Sequence, residues 1–513
     1  MTRIVPRPAT MRPGASRPPL LLVLSVLGGA AMLVPAIHAL TLGDEATARA
    51  FGWSGLLFVM LCGLFWIARR GSVPRRPARS QLLVLPGTFA ALPVALAVPY
   101  AEATGVPYLT SYAETVSSLT TTGFAFTDPG LIPAPAHLWR ALLGWLGGLF
   151  VWTAAAAILA PMNLGGFEVG APGEAGRGAA SLDRSGTTGD PVIRMGRVAS
   201  DIAPIYAGLT LALWILLVAT GQRGFDALCH AMATLSTSGI SPAGGPSEVG
   251  GGVPGELAVA LFLILALNRA TFLPGGSPGM REAARGAELR LAAVLIGAVS
   301  GALFLRHWVG AVDRGDPTDL TAAAAALWGA FFTALGFLTT AGFESVHWGD
   351  ARAWSGLDAA GPILLLLALT GGGVATTAGG IKLFRVYALM KHGQREIERL
   401  THPSSVGGSG RRARRIRRQG ARIAFVFFML FALALAATTL MLAASGIDFE
   451  NAMTLAAASL SNTGPLAQAA PLEPVPPRDL GTAAKLVMCA AMVLGRLEML
   501  AVVALFNPSV WRS

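Results

Sequence analysis

The chain has 513 residues, of which 53% are hydrophobic and only 13% are charged, whereas a soluble protein of this length carries about 25% charged residues. The formal net charge is +11, but the arginines that supply it cluster in short segments between apolar runs. That distribution is typical of the loops of a membrane protein and argues against nucleic-acid binding. The three cysteines, Cys62, Cys229 and Cys489, lack metal-ligand spacing and are predicted to be inert buried thiols.

Ten apolar stretches approach the roughly 20 residues that a helix needs to cross a bilayer. In chain order they are residues 20–40, 52–68, 82–99, 138–160, 199–219, 257–273, 289–307, 358–390, 422–444 and 483–506. The first is longer than the apolar region of a signal peptide, so we interpret it as a membrane span. The eighth is interrupted by a glycine-rich segment.

The loops between these spans alternate in charge. Basic residues concentrate on the N-terminal tail and in every loop that leads from an even-numbered span to an odd-numbered one. They include Arg3, Arg7, Arg12, Arg17, Arg69, Arg70, Arg75, Arg76, Arg79, Arg177, Arg184, Arg194, Arg197, Arg269, Arg281, Arg285, Arg290 and the run from Arg411 to Arg422. Under the positive-inside rule, this alternation predicts a multi-pass protein of the cytoplasmic (inner) membrane with both termini in the cytoplasm.

Four loops on the opposite side share one pattern. Each follows an odd-numbered span, from the third onward, and contains a semi-apolar stretch of roughly 12 residues, which is too short to cross the bilayer. Each stretch ends in small polar residues and a glycine. The four sequences are Leu119-Thr120-Thr121-Thr122-Gly123-Phe124, Leu235-Ser236-Thr237-Ser238-Gly239-Ile240, Leu338-Thr339-Thr340-Ala341-Gly342-Phe343 and Leu460-Ser461-Asn462-Thr463-Gly464-Pro465. With the glycine as position 0, leucine stands at −4 and a hydroxyl residue at −3 in all four, which predicts four internal repeats.

These repeats divide the chain into five regions, each repeat consisting of a span, a short pore helix, a turn and a second span. The regions are a tail with two extra spans (1–80), repeat 1 (81–197), repeat 2 (198–287), repeat 3 with the interrupted span and a basic loop (288–421) and repeat 4 (422–513).

The composition of the turns fits the passage of a dehydrated cation. Backbone carbonyls and threonine hydroxyls offer neutral oxygens in place of water, and glycine allows the unusual dihedral angles that point carbonyls at one axis. We therefore expect positions −2, −1 and 0 to line an ion path. They are Thr121, Thr122, Gly123, Thr237, Ser238, Gly239, Thr340, Ala341, Gly342, Asn462, Thr463 and Gly464. The alternative is that the turns merely end four interfacial helices.

Two features lie inside predicted spans. Residues 371–380 contain five glycines, so the helix should break there and line a cavity or be buried; the alternative is a packing seam of small residues. A nucleotide-binding P-loop is excluded because Ile381 separates Gly380 from Lys382. Arg496 stands near the middle of the last stretch, where a charge indicates function by default; the alternative is a structural pair with helix carbonyls or with Glu498.

Four further polar residues fall on the predicted pore helices. Glu114, Asp226 and Glu450 lie near the helix starts and are predicted to cap them; the alternative is that they raise the cation concentration at the outer mouth of the pore. His230 is predicted to pack or to form hydrogen bonds rather than to bind a metal, because no cluster of metal ligands surrounds it.

The turns resemble those of the Trk/Ktr/HKT superfamily of K⁺ transporters. The stretch from Gly371 to Arg385 resembles the superfamily's third-repeat motif, and the stretch from Gly495 to Leu500 resembles its fourth-repeat motif. The two extra N-terminal spans point to the TrkH branch. The resemblance covers residues 20–508.

The resemblance implies an all-α integral membrane fold with four pseudo-symmetric repeats around a pore and K⁺ conduction, since glycine at position 0 of all four turns goes with K⁺ preference. It implies a gate at Gly371, Gly372, Gly373, Thr376, Thr377, Gly379, Gly380 and Lys382 and an electrostatic barrier at Arg496. It also implies a homodimer and a cytoplasmic regulatory ring of the TrkA/RCK type. Any nucleotide (ATP, ADP or NAD) would bind to that ring, and this chain is expected to hold no cofactor besides the K⁺ that it transports.

Two alternatives stay open at this stage. A Na⁺-permeable or H⁺/Na⁺-coupled secondary transporter (a symporter) would also use broken helices. A membrane enzyme would need convergent catalytic side chains at membrane depth, and the scattered histidines argue against it. The basic segment 391–422 fits contact with anionic lipid or with a partner equally well.

Overall fold

The computed structural model of the chain describes residues 19–69, 83–160, 191–243, 251–268, 286–311, 320–357, 360–402 and 418–497. Within these ranges the secondary structure is helical and contains no β-strand, so the predicted all-α membrane fold is confirmed. The N-terminal arginines, most of the run from Arg411 to Arg422, and Glu498 lie outside the described residues.

Eight helices in the described part of the chain are long and apolar enough to cross a membrane. They are Leu20–Thr41, Glu45–Ala68, Leu83–Thr104, Ala134–Leu159, Ile193–Ala219, Ala287–Arg306, Leu320–Leu338 and Gly420–Ala444. Seven of them coincide with predicted spans. The exception is Leu320–Leu338, predicted as a pore helix of about 12 residues. That prediction of length was wrong, because an alanine-rich extension lengthens this pore helix to 19 residues.

The sixth, eighth and tenth predicted spans are shorter helices in the described residues. The sixth is Gly252–Leu263, continued by a 3₁₀ turn at Ile264–Leu267. The eighth is divided into Gly361–Thr370 and Leu383–Thr401. The tenth is Thr482–Arg496, and residues 498–506 of that predicted span lie outside the described residues.

The other three pore helices have the expected length. They are Tyr108–Leu119, Gly224–Ser236 and Phe449–Ser461. Their side chains are mostly buried although many are polar or small, because each helix is surrounded by the spans of its own and neighbouring repeats. A half-length helix enclosed in this way holds its final turn in the middle of the protein.

Several spans are locally irregular, and proline accounts for two of the irregularities. The first span consists of Leu20–Ala31 and Leu33–Thr41, since Pro35 cannot donate to the carbonyl of residue 31. The third contains a π turn at Gly87–Ala91, then Leu92–Leu96 and Val98–Thr104, where Pro93 and Pro99 occupy first-turn positions.

Short elements complete the described chain. They are 3₁₀ turns at Pro129–Leu131 and Pro477–Asp479, a π turn at Ala155–Leu159, and the short helices Trp348–Ser355 and Leu466–Ala469.

The two extra spans pack on each other through small residues and expose their large ones. A Cβ added to Gly55 would lie 2.9 Å from the carbonyl oxygen of Gly29, so the two helices approach closely. Outward-facing side chains such as Leu56, Met60 and Ile67 are at least half exposed. Large apolar groups face outward where lipid is the solvent.

Candidate functional site

The four turns repeat one unusual backbone conformation. Six residues other than glycine have a positive φ angle in the described chain, and four of them stand at position −2, with φ between 50° and 59°. They are Thr121, Thr237, Thr340 and Asn462. A left-handed conformation costs an ordinary residue about 1–2 kcal/mol. Such strain persists where the surrounding structure imposes it, and it concentrates at functional sites.

The turns contact one another in a closed cycle. An added Cβ would overlap the Ser238 carbonyl oxygen at Gly123 and the Ala341 carbonyl oxygen at Gly239. At Gly342 it would lie 2.7 Å from the Pro465 ring. At Gly464 the added Cβ would lie 2.7 Å from the carbonyl oxygen of Thr122. The turns therefore form a ring in the order 1, 2, 3, 4, with backbone against backbone at three of its four joints. We call the twelve residues at positions −2, −1 and 0 the ring.

The fourth quarter of the ring differs from the other three. Its glycine, Gly464, lacks the positive φ angle of Gly123, Gly239 and Gly342, because the following Pro465 restricts the backbone before it. The Gly464 amide instead donates to the Thr122 carbonyl oxygen at 2.6 Å. The joint between repeats 4 and 1 is thus closed by a hydrogen bond.

Pro465 also reaches beyond its own quarter. Its Cγ atom lies 2.8 Å from the Cβ positions of both Gly342 and Gly239. Since repeat 2 stands opposite repeat 4 in the cycle, the proline crosses the central axis. It does so at position +1, beyond the glycines, and a short helix, Leu466–Ala469, follows it.

The hydroxyls at position −1 bond within their own turns. Thr122 pairs with Thr120 at 2.7 Å, Ser238 with Ser236 at 3.0 Å, and Thr463 with Ser461 at 3.1 Å, in each case between positions −1 and −3. The third turn has Ala341 at this position and cannot form the pair. These hydroxyls therefore stiffen the turns.

The side chains at position −2 lie on the other side of the ring from Pro465. Thr121 Oγ1 accepts a hydrogen bond from Arg496 Nη2 at 2.6 Å, and Thr340 Oγ1 accepts one from the Gly379 amide at 2.8 Å. Asn462 Nδ2 donates to Thr122 Oγ1 and to the Met492 carbonyl, both at 3.0 Å. We call this side the floor of the ring.

The broken eighth span supplies a loop that lies on this floor. The loop comprises residues 371–382, between helices Gly361–Thr370 and Leu383–Thr401, and we call it the inner loop. Gly371, Ala375, Gly380 and Lys382 have positive φ angles. Backbone bonds close its base, from the Lys382 amide to the Thr370 carbonyl and from the Leu383 amide to the Gly372 carbonyl, both at 2.9 Å.

The inner loop is held by residues from the other repeats. Trp152 of repeat 1 donates to the Ala375 carbonyl at 2.7 Å. In repeat 2, the Leu235 carbonyl accepts from Thr377 Oγ1 at 3.2 Å, and the Ala266 carbonyl accepts from the Gly373 amide at 2.9 Å.

Repeats 3 and 4 complete these contacts. Glu288, at the start of the first span of repeat 3, accepts from the Val374 amide at 3.0 Å. An added Cβ at Gly379 would overlap the Ser461 carbonyl oxygen of repeat 4. The inner loop therefore contacts all four quarters.

Most of the predicted site residues thus meet in two adjoining layers. The ring holds all twelve residues predicted to line an ion path. The inner loop holds the eight predicted gate residues, and the Lys382 ammonium donates to the Ala378 carbonyl within it. Arg496 is buried and adjoins the ring at Thr121. In the described residues, no group of three or more His, Cys, Asp or Glu side chains could hold a metal ion.

The predicted helix caps were partly wrong. Glu114 lies in the middle of the first pore helix, where its carboxylate pairs with Arg140 at 2.6 Å, with both side chains almost fully buried. Asp448, which the sequence analysis missed, caps the fourth pore helix by accepting from the Asn451 amide at 3.0 Å. Glu450 accepts from the Leu472 amide instead, at 3.3 Å. His230 forms hydrogen bonds, as predicted.

Comparison with known proteins adds independent support for the fold. Residues 303–512 match the family model described as TrkH, cation transport protein. The chain is 29% identical over 524 residues to the Trk system potassium uptake protein TrkI of Halomonas elongata, covering 96% of this chain and 97% of that protein. It is 28% identical over 503 residues to TrkH of Escherichia coli K12, with 96% and 98% coverage.

A solved structure is also similar. The crystal structure of the potassium transporter TrkH from Vibrio parahaemolyticus superposes with a TM-score of 0.76 at 25% sequence identity, covering 96% of this chain and 98% of that chain. The likeness therefore extends over the ring, the inner loop and the two extra spans together.

Proposed function

We propose that the chain, which resembles TrkH cation transport proteins over nearly its whole length, is the K⁺-conducting membrane subunit of a potassium uptake system, with the ring as its selectivity filter. The family is one of transporters and not of enzymes. The relatives that bear the name Trk system potassium uptake protein match over nearly their whole length, which supports K⁺ as the transported ion.

One observation carries this proposal. The residue at position −2 is left-handed in all four turns, and the turns join in one cycle. If the turns only ended interfacial helices, four copies of a strained conformation would have no reason to meet. A path lined by backbone oxygens requires such copies to meet around one axis. The ring residues themselves are uncharged, so they can replace the water of a cation without trapping it.

The inner loop and Arg496 are the proposed gate and barrier. Both contact position −2 of the ring from the floor side, where a cation leaving the ring would next arrive. The loop blocks that route by its position, and the Arg496 guanidinium repels a cation by its charge. Conduction then requires the loop to move away from the floor.

The remaining assignments rest on family likeness. We propose a homodimer in the inner membrane with both termini in the cytoplasm, regulated by a cytoplasmic nucleotide-binding ring of the TrkA/RCK type. The name Trk system, carried by the relatives, supports a multi-component assembly. The helix Leu383–Thr401, which continues the inner loop and whose C-terminal half is largely exposed, is the element through which such a partner would act.

The test is cation flux into proteoliposomes that hold this chain alone or with its regulatory partner, comparing K⁺, Rb⁺, Na⁺ and Li⁺. Flux that favours K⁺ and Rb⁺ supports the filter. Equal flux of all four ions, or none even with the partner present, contradicts it. Flux of K⁺ that stops when a proton or Na⁺ gradient is removed would favour the coupled transporter.

A further inference from the structure

Each turn of the ring continues into a short segment at positions +1 to +3, which we call the outgoing segment. The four outgoing segments are held in different ways. In repeat 1 the Phe126 amide, at position +3, donates to Glu114 Oε2 at 2.7 Å. In repeat 3 the Ser345 amide, again at +3, donates to Thr333 Oγ1 at 3.2 Å. Glu114 and Thr333 both stand at position −9, on their pore helices.

Repeat 2 lacks the donor but keeps the connection. Its +3 residue is Pro242, which has no amide hydrogen. The residue at −9 is His230, whose Nε2 lies 2.8 Å from the Ser241 hydroxyl at position +2. Its Nδ1 faces Gln222 Oε1 at 3.1 Å, which can only accept, so Nδ1 donates and the neutral ring's Nε2 accepts from Ser241.

In repeat 4 the residue at −9 forms no hydrogen bond with the outgoing segment, and the amide at +3 already has an acceptor. The amide at +3, Ala467, donates to the Gly464 carbonyl at 3.1 Å within the short helix that follows the turn. The residue at −9 is Leu455, which is buried and apolar. In every quarter the residue at −9 therefore matches the donor that the outgoing segment presents.

We infer that the side chain at position −9 is a positioning residue for the ion-selective ring, acting through the segment from 0 to +3. This inference rests on the proposed function of the ring as a filter. The bond helps to fix how far the outgoing segment stands from its pore helix, and at most two residues separate that bond from the glycine at position 0. Since discrimination between K⁺ and Na⁺ depends on where the ring carbonyls are held, loosening the bond lowers selectivity without removing any ring residue.

The first repeat carries the strongest version of this bond. The Glu114 carboxylate also pairs with Arg140, and Arg140 Nη2 reaches the Phe124 carbonyl at 3.4 Å. Removing either charge would leave the other buried and unpaired, which destabilises a protein strongly. The third repeat is therefore the better place for a test, because Thr333 is uncharged.

The experiment uses the full chain in proteoliposomes and measures the ratio of K⁺ to Na⁺ flux, with the thermal unfolding midpoint in detergent as a check on folding. Thr333→Val is nearly isosteric and removes the acceptor, so we expect the flux ratio to fall by about two- to tenfold, the factor equivalent to one ordinary hydrogen bond. Thr333→Ser keeps the acceptor and should keep the wild-type ratio. Leu455→Val changes the same position where no polar bond exists, and it is the matched control.

A second variant keeps the inference testable if Thr333→Val does not fold. Ser241→Ala removes the donor to His230 on a partly exposed segment and should lower the flux ratio by a similar factor. A flux ratio of folded Thr333→Val and Ser241→Ala that equals that of Leu455→Val would overturn the inference. If the wild-type chain itself shows no preference for K⁺, the proposed filter fails instead, so the two failures are distinguishable.

Discussion

The ring and the inner loop solve the same structural problem by different means. Both interrupt helices inside the membrane, and both use left-handed residues to do so. The ring is determined locally, because each turn bonds back to its own pore helix, as from the Thr122 amide to the Ser117 carbonyl at 2.8 Å and from the Thr463 amide to the Ala458 carbonyl at 2.8 Å. The inner loop takes several of its bonds from repeats 1 and 2.

This difference indicates which layer can move. A turn that is bonded to its own helix depends less on the positions of more distant elements. A loop held by several distant partners changes position if any one of them shifts. We therefore expect substitutions in the ring to change which ion passes and substitutions around the inner loop to change how fast ions pass.

The largest expected effect comes from Gly123→Ala in the ring. An alanine would be strained at a φ of 82° and would overlap the Ser238 carbonyl oxygen. The combined cost of about 2–5 kcal/mol is expected to distort the joint and lower the K⁺/Na⁺ flux ratio by more than about tenfold. Gly105→Ala, which has a similar positive φ but open space around it, controls for backbone strain alone. A Gly123→Ala variant that conducts less but with an unchanged ratio would break the distinction between the layers.

The next effect is expected from Gly379→Ala in the inner loop. The added methyl group would overlap the Ser461 carbonyl oxygen, at a cost of about 1–3 kcal/mol. Because the ring is fixed by its own helices, the loop should yield. We expect K⁺ flux in proteoliposomes to rise about fivefold or more while the K⁺/Na⁺ ratio stays constant. A fall in that ratio would show that the loop shapes the ring.

Arg496 adjoins the ring at Thr121, and substitutions of this residue test whether its charge limits K⁺ flux. Arg496→Gln keeps a hydrogen-bond donor for Thr121 but removes the charge, whereas Arg496→Lys keeps the charge. Repulsion between unit charges 4 Å apart is about 1 kcal/mol in bulk water, so K⁺ flux through a hydrated path should rise about fivefold in the glutamine variant. It should change little in the lysine variant. Equal increases in both variants would mean that packing, and not charge, forms the barrier.

The smallest expected effect is that of Trp152→Phe. It removes the donor to the Ala375 carbonyl and keeps an aromatic ring in place. Loss of one hydrogen bond worth about 0.5–1.5 kcal/mol should raise K⁺ flux roughly two- to tenfold, with selectivity unchanged. Trp145→Phe, whose lost bond goes to Thr210 instead of the loop, is the matched control and should conduct like wild type. Equal flux in both variants would mean that repeat 1 does not hold the loop.

The sequence predicted the turns well because their pattern is local. Position −4 to position 0 forms one helix end, and the chemistry of a helix end can be read from adjacent residues such as Thr120 and Gly123. It did not predict the position of Glu114, because the partner Arg140 lies on another helix. The length of Leu320–Leu338 was also missed, since alanine-rich residues continue a helix without any signal that it should stop.

Other features depend on the order of the repeats in space. A proline after a glycine reads as a turn in the sequence, but that Pro465 crosses to Gly239 follows only from the cyclic arrangement. The floor contacts of Thr121 and Thr340 likewise involve residues 375 and 39 positions away. No local pattern encodes such a separation.

The helix Gly361–Thr370 connects the segment that follows Pro465 to the inner loop. Its first residue packs so closely on the Ala470 carbonyl that an added Cβ would overlap it, and its last residue adjoins the inner loop. Ten helical residues form a rod about 15 Å long, with the segment that carries Pro465 at one end. If binding of external K⁺ displaces the proline and thereby shifts the inner loop, the two binding events are thermodynamically linked. A partner that shifts the loop must then change the affinity for external K⁺ by the same factor by which K⁺ changes the affinity for the partner.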